Sequence, residues 1–293
     1  MDKKKEEKGS GIFPHSIDFI VTSKCNLHCP VCWSSYMPEY KALPLDDQFE
    51  VIRILNKGGV RKAVFTGGEP LLEEDLGMLV AEANALGMEI LLFTNGILMD
   101  EDKIHGLMPY VHYISLPLDG ADEKTNKIAR GRGHFNKVLN VIELLKSTYR
   151  ERKVQVLTLV TAVNKDRVRE IGELLEEKTK DMKFHWKLNH YKPIGRFNEK
   201  FMLDYNEFEQ IAKGIKQEFE GRLKVRYNIP EHDMAYLFIF PDGNMYSTKS
   251  STYTLLGNVL EPKSYDRDAL REIEQNMLET SFRVKGKIQE SSI

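Results

Sequence analysis

The chain of 293 residues has only three cysteines and two tryptophans. It has no uninterrupted apolar run near the roughly 18 residues that a membrane-spanning helix needs. It also lacks a charge excess. Its 42 Lys and Arg against 44 Asp and Glu leave a net charge of −2, so no global field draws it to nucleic acid or to an anionic membrane. The first residues are mostly charged and carry no apolar stretch of the kind a secretory signal requires, so residues 1–14 read as a solvated, flexible tail. An odd, tightly spaced set of cysteines argues against a secreted disulfide framework, which makes a reducing cytoplasm the expected location. Solenoid-period repeats are absent, as are low-complexity segments beyond the charged start.

What is there is concentrated. All three cysteines fall in Cys25-Asn26-Leu27-His28-Cys29-Pro30-Val31-Cys32, directly after an apolar run, and none follows. Three thiolates on one short loop can hold three irons of a [4Fe–4S] cube and leave the fourth iron open. The rival reading is a non-catalytic zinc or sensory-cluster protein, with His28 or His15 as fourth zinc ligand. Zinc loops, however, usually close on a second Cys/His pair far along the chain.

Apolar runs at 17–22, 62–66, 89–94, 111–118, 154–161 and 183–189 alternate with amphipathic stretches at 45–56, 74–86, 100–107, 135–148 and 166–178. This alternation implies parallel βαβ units with right-handed crossovers. Six units are too few to close an eight-stranded barrel. The expected fold is therefore α/β: a partial (β/α)6 TIM-like barrel over residues 15–195 with a small α+β extension over 196–293. In the extension, 205–219 reads as a helix, 235–246 as a hairpin turning at Asp242-Gly243, and 266–278 as a last helix.

In such a barrel the functional loops follow the C-terminal ends of the strands. The cysteine loop follows the first strand, Gly67-Gly68-Glu69-Pro70 the second, Thr94-Asn95-Gly96 the third and Asp119-Gly120 the fourth. In the sixth strand, period-two alternation puts Phe184, Trp186 and Leu188 outward and His185, Lys187 and Asn189 into the lumen. The inward set reads either as substrate contacts or as a structural ion pair with Asp18. Taken singly, these motifs are a turn opening a helix, a strand-ending turn and surface charges.

In this order after the cysteine loop, they resemble the radical SAM enzyme superfamily over about residues 15–195. The resemblance implies that Cys25, Cys29 and Cys32 hold one [4Fe–4S] cluster whose open iron chelates S-adenosylmethionine. Gly67 and Gly68 would admit the methionine amino group, with Glu69 as the nearby carboxylate. Arg130 would pair with the methionine carboxylate, Asn95 and Ser115 would meet the ribose, and Val31 would lie against the adenine. An electron from a flavodoxin or ferredoxin would release a 5′-deoxyadenosyl radical that takes a hydrogen atom from a small-molecule, nucleotide or peptide substrate.

Residues 235–259 resemble the SPASM-type extension of radical SAM maturases, but Ser247 and Thr248 stand where a cluster cysteine is expected. With no downstream cysteine, an auxiliary cluster is excluded by counting. No thiol remains to return a hydrogen atom either, which favours a redox-neutral rearrangement, elimination or addition. Tyr36, Tyr191 and Tyr246 are then the phenols to test, and Lys187 and Asn189 the lumen residues. Arg130-Gly131, Trp186-Lys187 and residues 282–287 are also similar to the viperin-type branch, which dehydrates nucleotides. Val31, and Leu157-Thr158-Leu159 in place of that branch's lysine and asparagine, depart from it. Lys187 alone is a thin set of cations for a triphosphate.

Overall fold

A computed structural model of the chain describes residues 11–192, 198–227, 236–249 and 252–277. Residues 1–10 of the expected tail, part of the loop after the sixth strand, residues 235 and 278, and the basic segment 282–287 lie outside the described residues.

Six parallel strands form as the alternation predicts: β1 (Ser16–Thr22), β2 (Lys62–Gly67), β3 (Glu89–Phe93), β4 (Tyr113–Pro117), β5 (Lys153–Val160) and β6 (Phe184–His190). They pair in sequence order, each crossover carrying helix: α1 (Leu45–Lys57), α2 (Leu76–Ala85), α3 (Glu101–Leu107), α4 (Glu123–Arg130), α5 (His134–Tyr149) and α6 (Val168–Lys178). α7 (Tyr205–Glu218) leads to a seventh parallel strand, β7 (Val225–Tyr227), beside β6. On the other side β8 (Leu237–Ile239) joins β1 in parallel, and β9 (Asn244–Lys249) and β10 (Thr252–Asn258) continue antiparallel. The order is β10-β9-β8-β1-β2-β3-β4-β5-β6-β7, so the sheet stays open and the extension prolongs the barrel's own sheet. Residues 267–277 are helical. Phe13, which the charge pattern places in the tail, is instead buried and stacks on Tyr265 at 5.5 Å.

The outward strand face makes the main core. Ile17, Phe19, Ala63, Phe65, Ile90, Leu92, Ile114, Leu116, Val154, Val156, Trp186 and Leu188 meet the apolar faces of the helices. Trp186 is fully buried, and its indole N–H donates to Thr158 Oγ1 at 2.9 Å, so the ring enters the core without an unpaired donor. Gly172 on α6 makes room for it, since a Cβ there would meet Trp186 at 2.8 Å and Phe219 at 2.5 Å. The helix starts are set locally. Asp100, Asp122 and Asp204 accept from backbone N–H groups of the first turns of α3, α4 and α7. Residues alternating with the core set face the lumen.

Candidate active site

The cysteine loop begins three residues beyond β1, at the C-terminal end of the sheet. All three thiols are free and half-buried. Cys25 Sγ accepts from Leu27 N at 3.4 Å and from Asn95 Nδ2 at 3.8 Å, and Cys32 Sγ lies 2.9 Å from Ser34 Oγ. Among the described residues no three His, Cys, Asp or Glu side chains gather closely enough to hold a single metal ion. Three free thiols on one loop suit three corners of a cube, each with its own iron, whereas a tetrahedral zinc would need a fourth ligand beside them. His15 precedes β1 at the strand's far end, about 20 Å of extended chain away, so it is removed as a ligand. His28 is exposed to solvent.

The second loop is stitched to the first by backbone. Gly68 N donates to Thr22 O at 2.6 Å and Glu69 N to Lys24 O at 2.8 Å. A Cβ on Gly67 would sit 2.3 Å from Thr22 O, and one on Gly68 2.1 Å from Lys24 O. The close approach these glycines allow includes that between the two loops. Glu69 is fully buried. Its Oε1 accepts from Thr94 Oγ1 at 2.7 Å and Leu71 N at 3.1 Å, and its Oε2 from Asn95 N at 2.7 Å. It ties the second loop to the third, and Oε2 keeps acceptor capacity. Burial raises its pKa, against the effect of those three bonds. The Asn95 amide reaches Asn26 Oδ1 at 2.7 Å as well as Cys25, so it braces the cysteine loop where a ribose contact is expected.

Arg130 ends α4, an element the polar composition of 123–130 hides, and Gly131 stops the helix at φ 96°. Its Nε donates to Asp119 Oδ2 at 2.5 Å. Asp119 is almost wholly buried and also accepts from Leu159 N at 2.7 Å, while its own N–H donates to Asn126 Oδ1 at 2.9 Å. The Asp119 side chain is thus the support that aims Arg130. Asp119-Gly120 is legible as a landmark, whereas Asn126 and the Asn164 amide that bonds Asp119 O have no motif to mark them.

Val31 is buried with Ala129, Tyr191 and Phe201, beside Cys29 and Leu159. Tyr191 is therefore packed against Phe201 below the cysteine loop. Tyr36 is 51% exposed at the end of the turn after Cys32. These are the surroundings of two of the phenols named as candidates for returning a hydrogen atom. Ser115 is buried on the lumen face and accepts from Gln155 Nε2 at 2.9 Å.

Below the loops, the lumen face carries Asp18, Lys62, Tyr113, Lys153, His185, Lys187, Asn189 and Arg226. Register aligns Asp18 with Val64, Val64 with Leu91, Leu91 with Tyr113 and Tyr113 with Lys153. Lys187 aligns with Arg226. Lys62 and Lys153 flank Tyr113, 5.5 Å and 4.3 Å from its ring centroid, and Lys153 bonds its hydroxyl. Burial, then Arg226, Lys224 and Lys153, push His185 down to about 4. Burial pushes Asp18 up to about 7 against Lys187 and Lys62, and lowers the pKa of Lys187. Opposite, the extension presents aromatic rings. Trp33 meets Phe238 at 5.4 Å, and Phe238 meets Tyr236 at 6.1 Å and Tyr253 at 5.8 Å.

Asp18 gives a pH prediction. Between about pH 4 and 7 the folded protein keeps a proton that the unfolded chain releases, so Asp18 costs stability progressively as pH rises through that window. Asp18→Asn is expected to melt increasingly above the unsubstituted protein from pH 4 to pH 7.5. A pH-independent difference would contradict this account of Asp18.

The radical SAM superfamily family model matches residues 19–175, more than half of the chain. The chain belongs to the radical SAM superfamily. It is thus an enzyme whose cofactors are a [4Fe–4S] cluster and S-adenosylmethionine. Over 273 residues it is 25% identical to an S-adenosylmethionine-dependent nucleotide dehydratase of Flammeovirga pacifica, covering 86% of this chain and 89% of that protein. It is 30% identical to a GTP 3′,8-cyclase of Chlorobaculum tepidum over 218 residues, 68% of this chain and 66% of that one. In fold it is similar to Streptococcus suis SuiB bound to S-adenosylmethionine. The TM-score is 0.70 at 16% identity, over 89% of this chain and 68% of that one. Among the described residues no helix is long and apolar enough to cross a membrane.

Proposed function

We propose that this radical SAM enzyme acts on a nucleotide, holding its single cluster on Cys25, Cys29 and Cys32 and its S-adenosylmethionine beside Glu69, Arg130 and Val31. Bound together, cluster and S-adenosylmethionine supply the 5′-deoxyadenosyl radical when an electron arrives from a flavodoxin- or ferredoxin-type donor. Three half-buried free thiols on one loop fit a cube. A buried guanidinium aimed by Asp119 fits a carboxylate.

The observation that carries the substrate class is the lumen. Lys62, Lys153, Lys187 and Arg226 face it, opposed by Asp18 and by Glu89 at its rim, so an anion is favoured there. Lys187 is no longer alone, because strand register sets Arg226 beside it while Lys62 and Lys153 flank Tyr113 on the same face. The wall of Trp33, Tyr236, Phe238 and Tyr253 offers faces on which a base can stack. The two relatives named as acting on nucleotides support the same class. With all three cysteines committed to one cluster, the reaction is read as redox-neutral, an elimination or rearrangement at the sugar.

The test is anaerobic 5′-deoxyadenosine release under dithionite with each ribonucleoside triphosphate, using deuterated sugars to locate the attacked carbon. One triphosphate should stimulate release and pass its deuterium to the product. Stimulation by peptides alone would refute the nucleotide class. Lys187→Ala is expected to raise KM for that triphosphate about 10- to 100-fold, the scale of a charged hydrogen bond, with a smaller change in kcat.

A further inference from the structure

Among the described residues, two polar atoms in the lumen are buried with no partner: the Tyr253 hydroxyl and the Asn189 side-chain carbonyl. Unpaired buried groups are costly, and native proteins keep few of them. The two sit on different walls. Asn189 is on the lumen face of β6, two residues beyond Lys187 and in register with Leu159, which packs beneath Val31. Tyr253 belongs to β10 at the opposite edge of the open sheet. Its ring is held edge-on by Phe240 at 5.9 Å and Tyr246 at 6.1 Å, with interplanar angles of 90° and 89°. Its hydroxyl lies within electrostatic reach of the Asp18 carboxylate and the Cys32 thiol. A packed phenol near the cysteine loop, with nothing among the described residues to bond, is placed for a ligand.

We infer that Tyr253 and Asn189 are substrate-binding residues that grip one molecule from opposite walls of the lumen, making the C-terminal extension part of the substrate site. This inference rests on the nucleotide reading for the ligand's class, and the polar pattern refines it. Asn189 Oδ1 accepts from an N–H or O–H of the ligand, as a nucleobase amine or a sugar hydroxyl provides. The Tyr253 O–H donates to a ligand oxygen or ring nitrogen while its ring and that of Phe238 bound the base. The cations of β2, β5, β6 and β7 lie on the remaining side, where a phosphate chain can extend away from the cysteine loop. Neither residue is a cluster or S-adenosylmethionine contact, so substrate binding and cofactor binding separate.

Tyr253→Phe tests this in the reconstituted holoenzyme, because it deletes the hydroxyl and leaves the ring packing intact. Affinity is measured by equilibrium dialysis with each of the four ribonucleoside triphosphates and, separately, with S-adenosylmethionine. Melting is followed with no substrate present. The expected result is about tenfold weaker binding of the triphosphate that the wild type prefers, and unchanged S-adenosylmethionine affinity. A melting temperature higher by about 2 °C or more is also expected, since a buried unpaired hydroxyl is removed. A lower melting temperature would show that the hydroxyl is bonded within the folded protein and would overturn the inference. So would equal triphosphate affinity in variant and wild type. If the wild type binds none of the four triphosphates, the nucleotide reading fails by itself. The melting arm then decides the role of Tyr253: a rise keeps it and a fall overturns it.

Discussion

Replacing Cys29 by alanine is expected to lower the iron content of the reconstituted protein from about four per chain to well under one, and to abolish S-adenosylmethionine cleavage. The three thiols sit in one loop whose shape is fixed by its own bond from Cys32 N to Cys29 O at 3.2 Å and by a bond from Asn95, beyond β3, to Cys25. No other cysteine exists in the chain to take the vacated corner. The fold itself survives, because Cys29 is half-buried against the Val31 group and its truncation to alanine costs about 1–2 kcal/mol. Circular dichroism should therefore match the parent while iron and sulfide analysis does not. His28→Ala is the companion variant. It keeps its iron if the cube reading holds, and it loses metal if His28 closes a zinc site.

The second large effect is expected at a residue that touches neither cofactor. Asp119→Ala removes the carboxylate that orients Arg130 and accepts from Leu159 N. The pair is buried, with 16% of the Arg130 side chain and 1% of Asp119 exposed. Leaving the guanidinium there without its partner costs about 3–5 kcal/mol, far more than the pair contributes over an apolar replacement. Two readouts follow: a lower denaturation midpoint, and S-adenosylmethionine affinity reduced about 100-fold as Arg130 loses its aim. Asp119→Asn keeps an acceptor for Leu159 N and should fall between the two. An Asp119→Ala protein as stable and as tight for S-adenosylmethionine as its parent would remove Arg130 from the site.

The six central strands and the inward face of β6 are legible in sequence because period-two alternation reports directly which side chains share a face. The same rule fails for β7, which is three residues long, and for β10, whose outer positions are largely exposed, whereas β8 and β9 are legible as the hairpin about Asp242-Gly243. α4 escapes because Glu123–Arg130 is mostly polar, and its start is declared only by the Asp122 cap. The site divides in the same way. Local motifs mark the three cysteines, the two glycines and Arg130, while the contact the glycines make between loops is visible only in the fold. That Lys62, Lys153 and Arg226 share the lumen depends on the pairing of strands far apart in the chain, two of them at strand beginnings and one in a strand too short to detect. Nothing in the sequence of 235–259 marks Tyr253, and only the absence of a partner for its buried hydroxyl among the described residues singles it out.

The central claim is one cluster on one loop serving one radical reaction. Iron per chain, measured together with 5′-deoxyadenosine release under dithionite after anaerobic reconstitution, tests it most directly. The account predicts about four irons per chain, release in the presence of S-adenosylmethionine, and loss of both in Cys29→Ala. A colourless protein holding one zinc, or a preparation carrying about eight irons per chain, would contradict it.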